Sequence, residues 1–106
     1  MRILFDQGTP IPLRDSLHPH TVDTAAEMGW STLTNGELIS AAEQSGFDVI
    51  ITTDQSLKYQ QNLSHRKLSI VVLKTTSWPR IRRSIPSITG GIQSLPPSGY
   101  LELGFD

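Results

Sequence analysis

The chain contains no cysteine. That excludes disulfides, thiolate metal centres and a cysteine nucleophile. No apolar run approaches the ~20 residues that span a bilayer, so no membrane partner is expected. The first residues pass straight into a strand-like run without a signal-peptide pattern, and a cytoplasmic setting is the expectation. Glycine-rich phosphate loops are missing too. Gly8, Gly36 and Gly90-Gly91 fit neither GxGxxG nor GxxxxGK[ST]. His18, His20 and His65 lack the close spacing of a zinc site. Ser31, Ser40 and Ser56 have no recognisable histidine and acid around them for nucleophilic catalysis.

What is present fits one compact domain over residues 1–106, with 37% hydrophobic and 18% charged residues. The net charge of −1 conceals an asymmetry. The first half sets Arg2 and Arg14 against Asp6, Asp15, Asp23, Glu27, Glu37, Glu43 and Asp48. The second sets Lys58, Arg66, Lys67, Lys74, Arg80, Arg82 and Arg83 against Asp54, Glu102 and Asp106. An acidic half beside a basic half suits a cation site next to a phosphate-binding surface; uneven solvated charge is the plainer account.

Residues 2–6 read as a buried strand ending at Asp6-Gln7-Gly8. Thr9-Pro10 opens a short helix with Ile11, Leu13 and Leu17 on one face, Thr9 serving as cap. His20 to Val22 is a weak strand, and Ala25 to Met28 a short helix closed by Gly29. Thr34-Asn35-Gly36-Glu37 is a capping box, so a helix starts there and runs to about Ser45, stopped by Gly46. Phe47 to Thr53 is the clearest strand, continuous, branched and expected to be central. Residues 54–63 read as a polar helix or helical turn, and Leu68 to Leu73 as a further buried strand. From Ser77 a helix runs to about Gln93, broken by Pro86 and Gly90-Gly91. Gly99 to Phe105 reads as an edge strand. Strands alternating with helices imply an α/β fold with right-handed crossovers and a parallel sheet.

Asp6, Glu37 and Asp54 stand where strands hand over to helices. The carboxyl ends of neighbouring parallel strands converge on one crevice. Carboxylates gathered there suit Mg²⁺ or Mn²⁺, and such a cation activates water against a phosphodiester. Each acid also has a structural role open to it. Asp54 suits a helix cap, Asp6 an Asx turn, and Glu37 the capping box with Thr34. Asp15, Glu27 and Glu43 fall on helical stretches and are expected to be solvated. Lys58, one turn after Asp54, is a candidate phosphate ligand. Trp78-Pro79-Arg80-Ile81-Arg82-Arg83 mixes an aromatic with guanidiniums, as a single-strand-binding surface does, and makes Arg80 and Arg82 candidates for RNA.

The ordered set Ile3-Leu4-Phe5-Asp6-Gln7-Gly8, Met28-Gly29-Trp30, Asn35-Gly36-Glu37-Leu38, Ile51-Thr52-Thr53-Asp54 and Tyr59-Gln60-Gln61-Asn62-Leu63 resembles the motifs of a small PIN-like family of toxin–antitoxin toxins. The resemblance covers about residues 1–75 well and the remainder loosely. It implies a three-layer α/β/α sandwich on a mainly parallel sheet of about five strands. It further implies Mg²⁺- or Mn²⁺-dependent RNA cleavage through Asp6, Glu37 and Asp54. A cognate small DNA-binding antitoxin is the implied partner, and a homo-oligomer is compatible. Two departures stand out. Asn35 replaces an acid that many relatives carry, and Lys74-Thr75-Thr76 stands where many larger PIN nucleases place a further acid. The missing acid keeps open a catalytically silent scaffold that binds RNA or a protein. A phosphoacceptor domain using Asp6, Asp54 and Lys74 is a third reading, but it leaves Glu37 without a role.

Overall fold

A computed structural model describes residues 1–56 and 66–105. Its centre is a five-stranded, wholly parallel sheet in the order β2-β1-β3-β4-β5. The strands are β1 (Arg2–Phe5), β2 (Thr21–Thr24), β3 (Val49–Thr52), β4 (Ser69–Leu73) and β5 (Tyr100–Leu103). Every residue of β3 and β4 is buried. Continuous branched apolar runs do this because both faces of an inner parallel strand are covered. The edge strands differ: β2 alternates, and β5 is half-buried throughout.

Two apolar layers flank the sheet. On one face, Ile3, Phe5, Ile51, Val71 and Leu73 meet Leu13 and Leu17 of a 3₁₀ helix (Ile11–Leu17). The same layer takes Ile81 from α2 (Trp78–Arg83) and Ile88 and Ile92 from α3 (Ile85–Gln93). On the other face, Leu4, Ile50, Ile70 and Val72 meet Leu38, Ile39 and Ala42 of α1 (Asn35–Gln44). The molecule is thus an α/β protein with helices on both faces of a parallel sheet.

Helix α1 begins as expected. Thr34 Oγ1 accepts from the Glu37 N–H, and Glu37 Oε1 accepts from the Thr34 N–H. Gly46, at φ +84°, ends it in the left-handed region that favours glycine. Elsewhere the structure corrects the sequence reading. Thr9 does not cap; it is buried and donates its hydroxyl to Ile51 O at 2.8 Å. Residues 25–29 form hydrogen-bonded turns rather than a helix, with Glu27 accepting from the Thr24 N–H. The break expected at Pro86 is found, as two helices meeting at Ser84 because Pro86 supplies no N–H to continue the first, whereas Gly90-Gly91 stay inside the second helix. The helix expected over residues 54–63 is described only at Asp54–Ser56, which form a turn; the rest lies outside the described residues.

Among the described connections the crossovers do not share one hand, as the right-handed rule expects. The β2→β3 and β4→β5 connections step in the same direction across the sheet. Yet α1 covers one face, and α2 and α3 cover the other. These two crossovers therefore have opposite hand. The β1→β2 connection steps the other way over the face of α2 and α3, so it shares the hand of β2→β3. The seven-residue 3₁₀ helix is short, and Ile81, Ile88 and Ile92 join the apolar layer it begins.

Candidate functional site

The topology selects one crevice. From β1 the chain moves outward to β2, whereas β3 and β4 lie on the other side of β1. In open parallel sheets, ligands bind outside the carboxyl ends at such a switch point. Asp6 follows the end of β1 and Asp54 follows the end of β3, so both stand at this position.

A single buried hydroxyl links them. Thr52 Oγ1 donates to Asp6 Oδ2 at 2.8 Å and accepts from the Asp54 N–H at 3.1 Å. Thr52 is 1% exposed, so this hydroxyl is held away from competing water. The second Asp6 oxygen accepts from the Gln7 N–H at 2.7 Å. Asp54 is held from two sides. Oδ1 accepts from the Ser56 hydroxyl at 2.7 Å and its N–H at 3.0 Å; Oδ2 accepts from Asn35 Nδ2 at 2.7 Å. Asn35 is the first residue of α1, so this contact ties the start of that helix to the end of β3. Asp54 thus turns onto Ser56 and Glu37 fills its capping box, whereas Asp6 accepts from the next N–H and does not make the expected Asx turn.

Gly8 completes the mouth. A Cβ there would lie 2.2 Å from Thr53 Oγ1, so only glycine lets the loop after β1 close against the loop after β3. Beside it, a cavity of about 100 Å³ is lined by Asp6, Gln7, Thr9, Ile11 and Thr24, with Ala25 and Ala26. A larger cavity, about 290 Å³, lies at the opposite, amino edge of the sheet among Phe47, Asp48, Val49, Lys67 and Ser69. Volume alone favours the latter; the converging carboxylates favour the former.

The electrostatics differ from simple crowding of acids. Repulsion among converging carboxylates would raise at least one pKa. Instead, the Ser56 hydroxyl, with help from Asn35 and the Ser56 N–H, holds the Asp54 carboxyl below its usual value despite partial burial. Glu37 is likewise lowered by the Thr34 N–H. Hydrogen bonds to the charged forms prevail, so both acids are kept ionised at neutral pH.

Glu37 stands slightly apart from the aspartates. Its Oε1 closes the capping box, and Asn35 lies between its helix turn and Asp54. Among the described residues, no three acidic or histidine side chains are grouped closely enough to hold a metal ion. Asp6 and Asp54 flank the Thr52 hydroxyl and offer only oxygen donors. That set fits a hard cation such as Mg²⁺, which is held by one or two carboxylates and keeps several waters.

The basic candidates divide. Lys58 lies outside the described residues. Arg80 and Arg82 are exposed on α2, which follows the carboxyl end of β4. This helix packs in the layer opposite α1, with Trp78 half-buried against the core. Two acids expected to be solvated are paired: Glu27 with Arg14, and Glu43 with Arg66 at 3.1 Å. Sequence reasoning missed Thr52 and Asn35. Nothing in a branched strand run marks one threonine as a bridge, and Asn35 reads only as part of a helix start.

These features define the chain as an α/β protein with two aspartates, Asp6 and Asp54, at the sheet's switch point. No family model, curated protein or solved structure matches it.

Proposed function

We propose that the protein is a Mg²⁺- or Mn²⁺-dependent endoribonuclease, the toxin of a toxin–antitoxin pair, acting in the cytoplasm. The observation that carries the reading is the Asp6–Thr52–Asp54 linkage at the switch point. Asp6 and Asp54 would hold the cation directly. When bound, the cation lowers the pKa of water and offsets charge on the phosphoryl oxygens. The chain's own contribution is order. Thr52 fixes Asp6, Asn35 and Ser56 fix Asp54, and those bonds keep the Asp54 carboxylate charged. Glu37 keeps its cap through Oε1, which leaves Oε2 as the oxygen that would serve the site. Arg80 and Arg82 would supply positive charge for RNA, and Lys58 is the further candidate from the sequence. The toxin role and the antitoxin partner rest on the sequence resemblance to PIN-like proteins.

The decisive experiment pairs Mn²⁺ binding with cleavage of single-stranded RNA, using protein freed of any antitoxin. Wild type should bind and cut, while Asp6→Asn and Asp54→Asn should fold, lose metal binding and lose cleavage. Full activity in either folded variant removes that residue from the site.

A second reading has its own support. Glu37 is held in a helix cap, and no three-acid group is present among the described residues. Both fit a silent scaffold that binds RNA or a protein. RNA binding without cleavage in either metal, by antitoxin-free wild type, would select it.

A further inference from the structure

We infer that Lys74 is a phosphate-binding residue of this same crevice, gripping the RNA backbone on the side of β4. The inference rests on the ribonuclease reading and adds a substrate contact to it. Its basis is strand register. Val49 pairs with Ser69 and Thr52 with Val72, and Asp54 and Lys74 each lie two residues beyond that last pair, past the ends of β3 and β4. Neighbouring strands are about 4.8 Å apart, so the two residues rise from adjacent positions at the rim.

The ladder still holds at this point, because the Lys74 N–H donates to Leu103 O at 2.9 Å. The loops touch as well: Gln55 Nε2 donates to Lys74 O at 3.4 Å. Pleating then decides the face. Ile51, Val71 and Leu73 point toward α2 and α3, whereas Ile50, Ile70 and Val72 point toward α1. By alternation Thr52 and Lys74 belong with the second set. Asp6 joins them through its bond to Thr52, and Asp54 through its bond to Asn35 of α1. Lys74 therefore shares the acid side of the rim, while Arg80 and Arg82 are carried by a helix in the other layer.

Lys74 is exposed, and among the described residues no carboxylate forms an ion pair with it. Its stem passes Gly104 at the end of β5, where no side chain stands in its way. An ammonium on a four-carbon stem is a mobile point charge suited to one phosphate oxygen. A polyanion laid across the crevice would meet Asp6 and Asp54 through a cation, and Lys74 directly on the next strand. The position that could have carried a further acid carries the opposite charge, so it holds substrate rather than metal.

The test uses the full chain and two readouts. Affinity for a short single-stranded oligoribonucleotide is measured against salt in EDTA, so that nothing is cut. Mn²⁺ binding is measured separately without RNA. Lys74→Gln should weaken RNA binding and reduce the salt slope by about 0.7, the value of one single-strand phosphate contact. Lys74→Arg should restore the slope. Mn²⁺ binding by Lys74→Gln should become somewhat tighter, because a like charge beside the cation is removed. An unchanged salt slope, or loss of Mn²⁺ binding in the Gln variant, overturns the assignment. Failure of the ribonuclease reading looks different, because the wild type itself then binds no Mn²⁺.

Discussion

Glu37 is where a helix cap and the proposed site would compete for one side chain. Oε1 is spent on the Thr34 N–H, while the charge of the group remains near Asp54's partner Asn35. Glutamine also completes a capping box. Glu37→Gln should therefore leave the melting temperature almost unchanged while lowering cleavage roughly 10–100-fold, as expected when an outer partner of a metal site is altered. Thermal melts beside a cleavage assay separate the two roles; full activity in the Gln variant would leave Glu37 a cap alone. Gly8 offers a contrasting test. Gly8→Ala puts a methyl into Thr53 Oγ1 and should cost about 1–3 kcal/mol, typical of overpacking. A chemical denaturation curve that does not shift would show that the two loops part easily.

At the scale of elements, the start of α1 holds the crevice together. Its cap and the Asn35–Asp54 bond lie within one turn. Thr34→Ala should lower stability by about 0.5–2 kcal/mol. It should also weaken Mn²⁺ binding, because Asn35 no longer has a fixed start to stand on. The pH dependence follows from the same bonds. The Asp54 and Glu37 carboxyls are lowered in the folded protein, so the unfolded chain binds protons first. Their stabilisation is complete above the ordinary carboxyl range of about 4. It falls as pH drops through that range and on through the lower folded values. Replacing Ser56 with Ala should flatten the acid side of a melting-temperature profile between neutrality and about pH 3.

For the whole molecule, both apolar layers share one sheet. Ile39 is on the buried face of α1 and Ile88 on that of α3. Replacing either with Ala should cost about 2–5 kcal/mol. If residues 1–106 form one cooperative domain, both changes move the same single unfolding transition, whether followed by tryptophan fluorescence or far-UV circular dichroism. Two separable transitions would show that the layers unfold independently. The basic second half can also be weighed at this scale. RNA binding should weaken steeply as salt rises, since phosphates neutralised by Arg80 and Arg82 release counterions.

The sequence by itself determined what depends on near neighbours. Branched apolar runs became β3 and β4, the Thr34–Glu37 box began α1, and Gly46 ended it, because hydrophobic period, capping chemistry and positive φ are local properties. The alternation of strands and helices likewise announced a parallel sheet. Only the tertiary structure decided which distant residues share a hydroxyl, a face or a rim. Thr52 joins Asp6 to Asp54 across two strands, and Asn35 reaches Asp54 from a helix. Strand order set the switch point, and β4→β5 took the hand opposite to β2→β3 while its helices filled the apolar layer begun by the short 3₁₀ helix. Strand ends set Asp54 and Lys74 after β3 and β4, and packing put the helix of the arginines in the layer opposite α1. None of these is a property of a sequence window, because each depends on which strands lie side by side once both layers are buried.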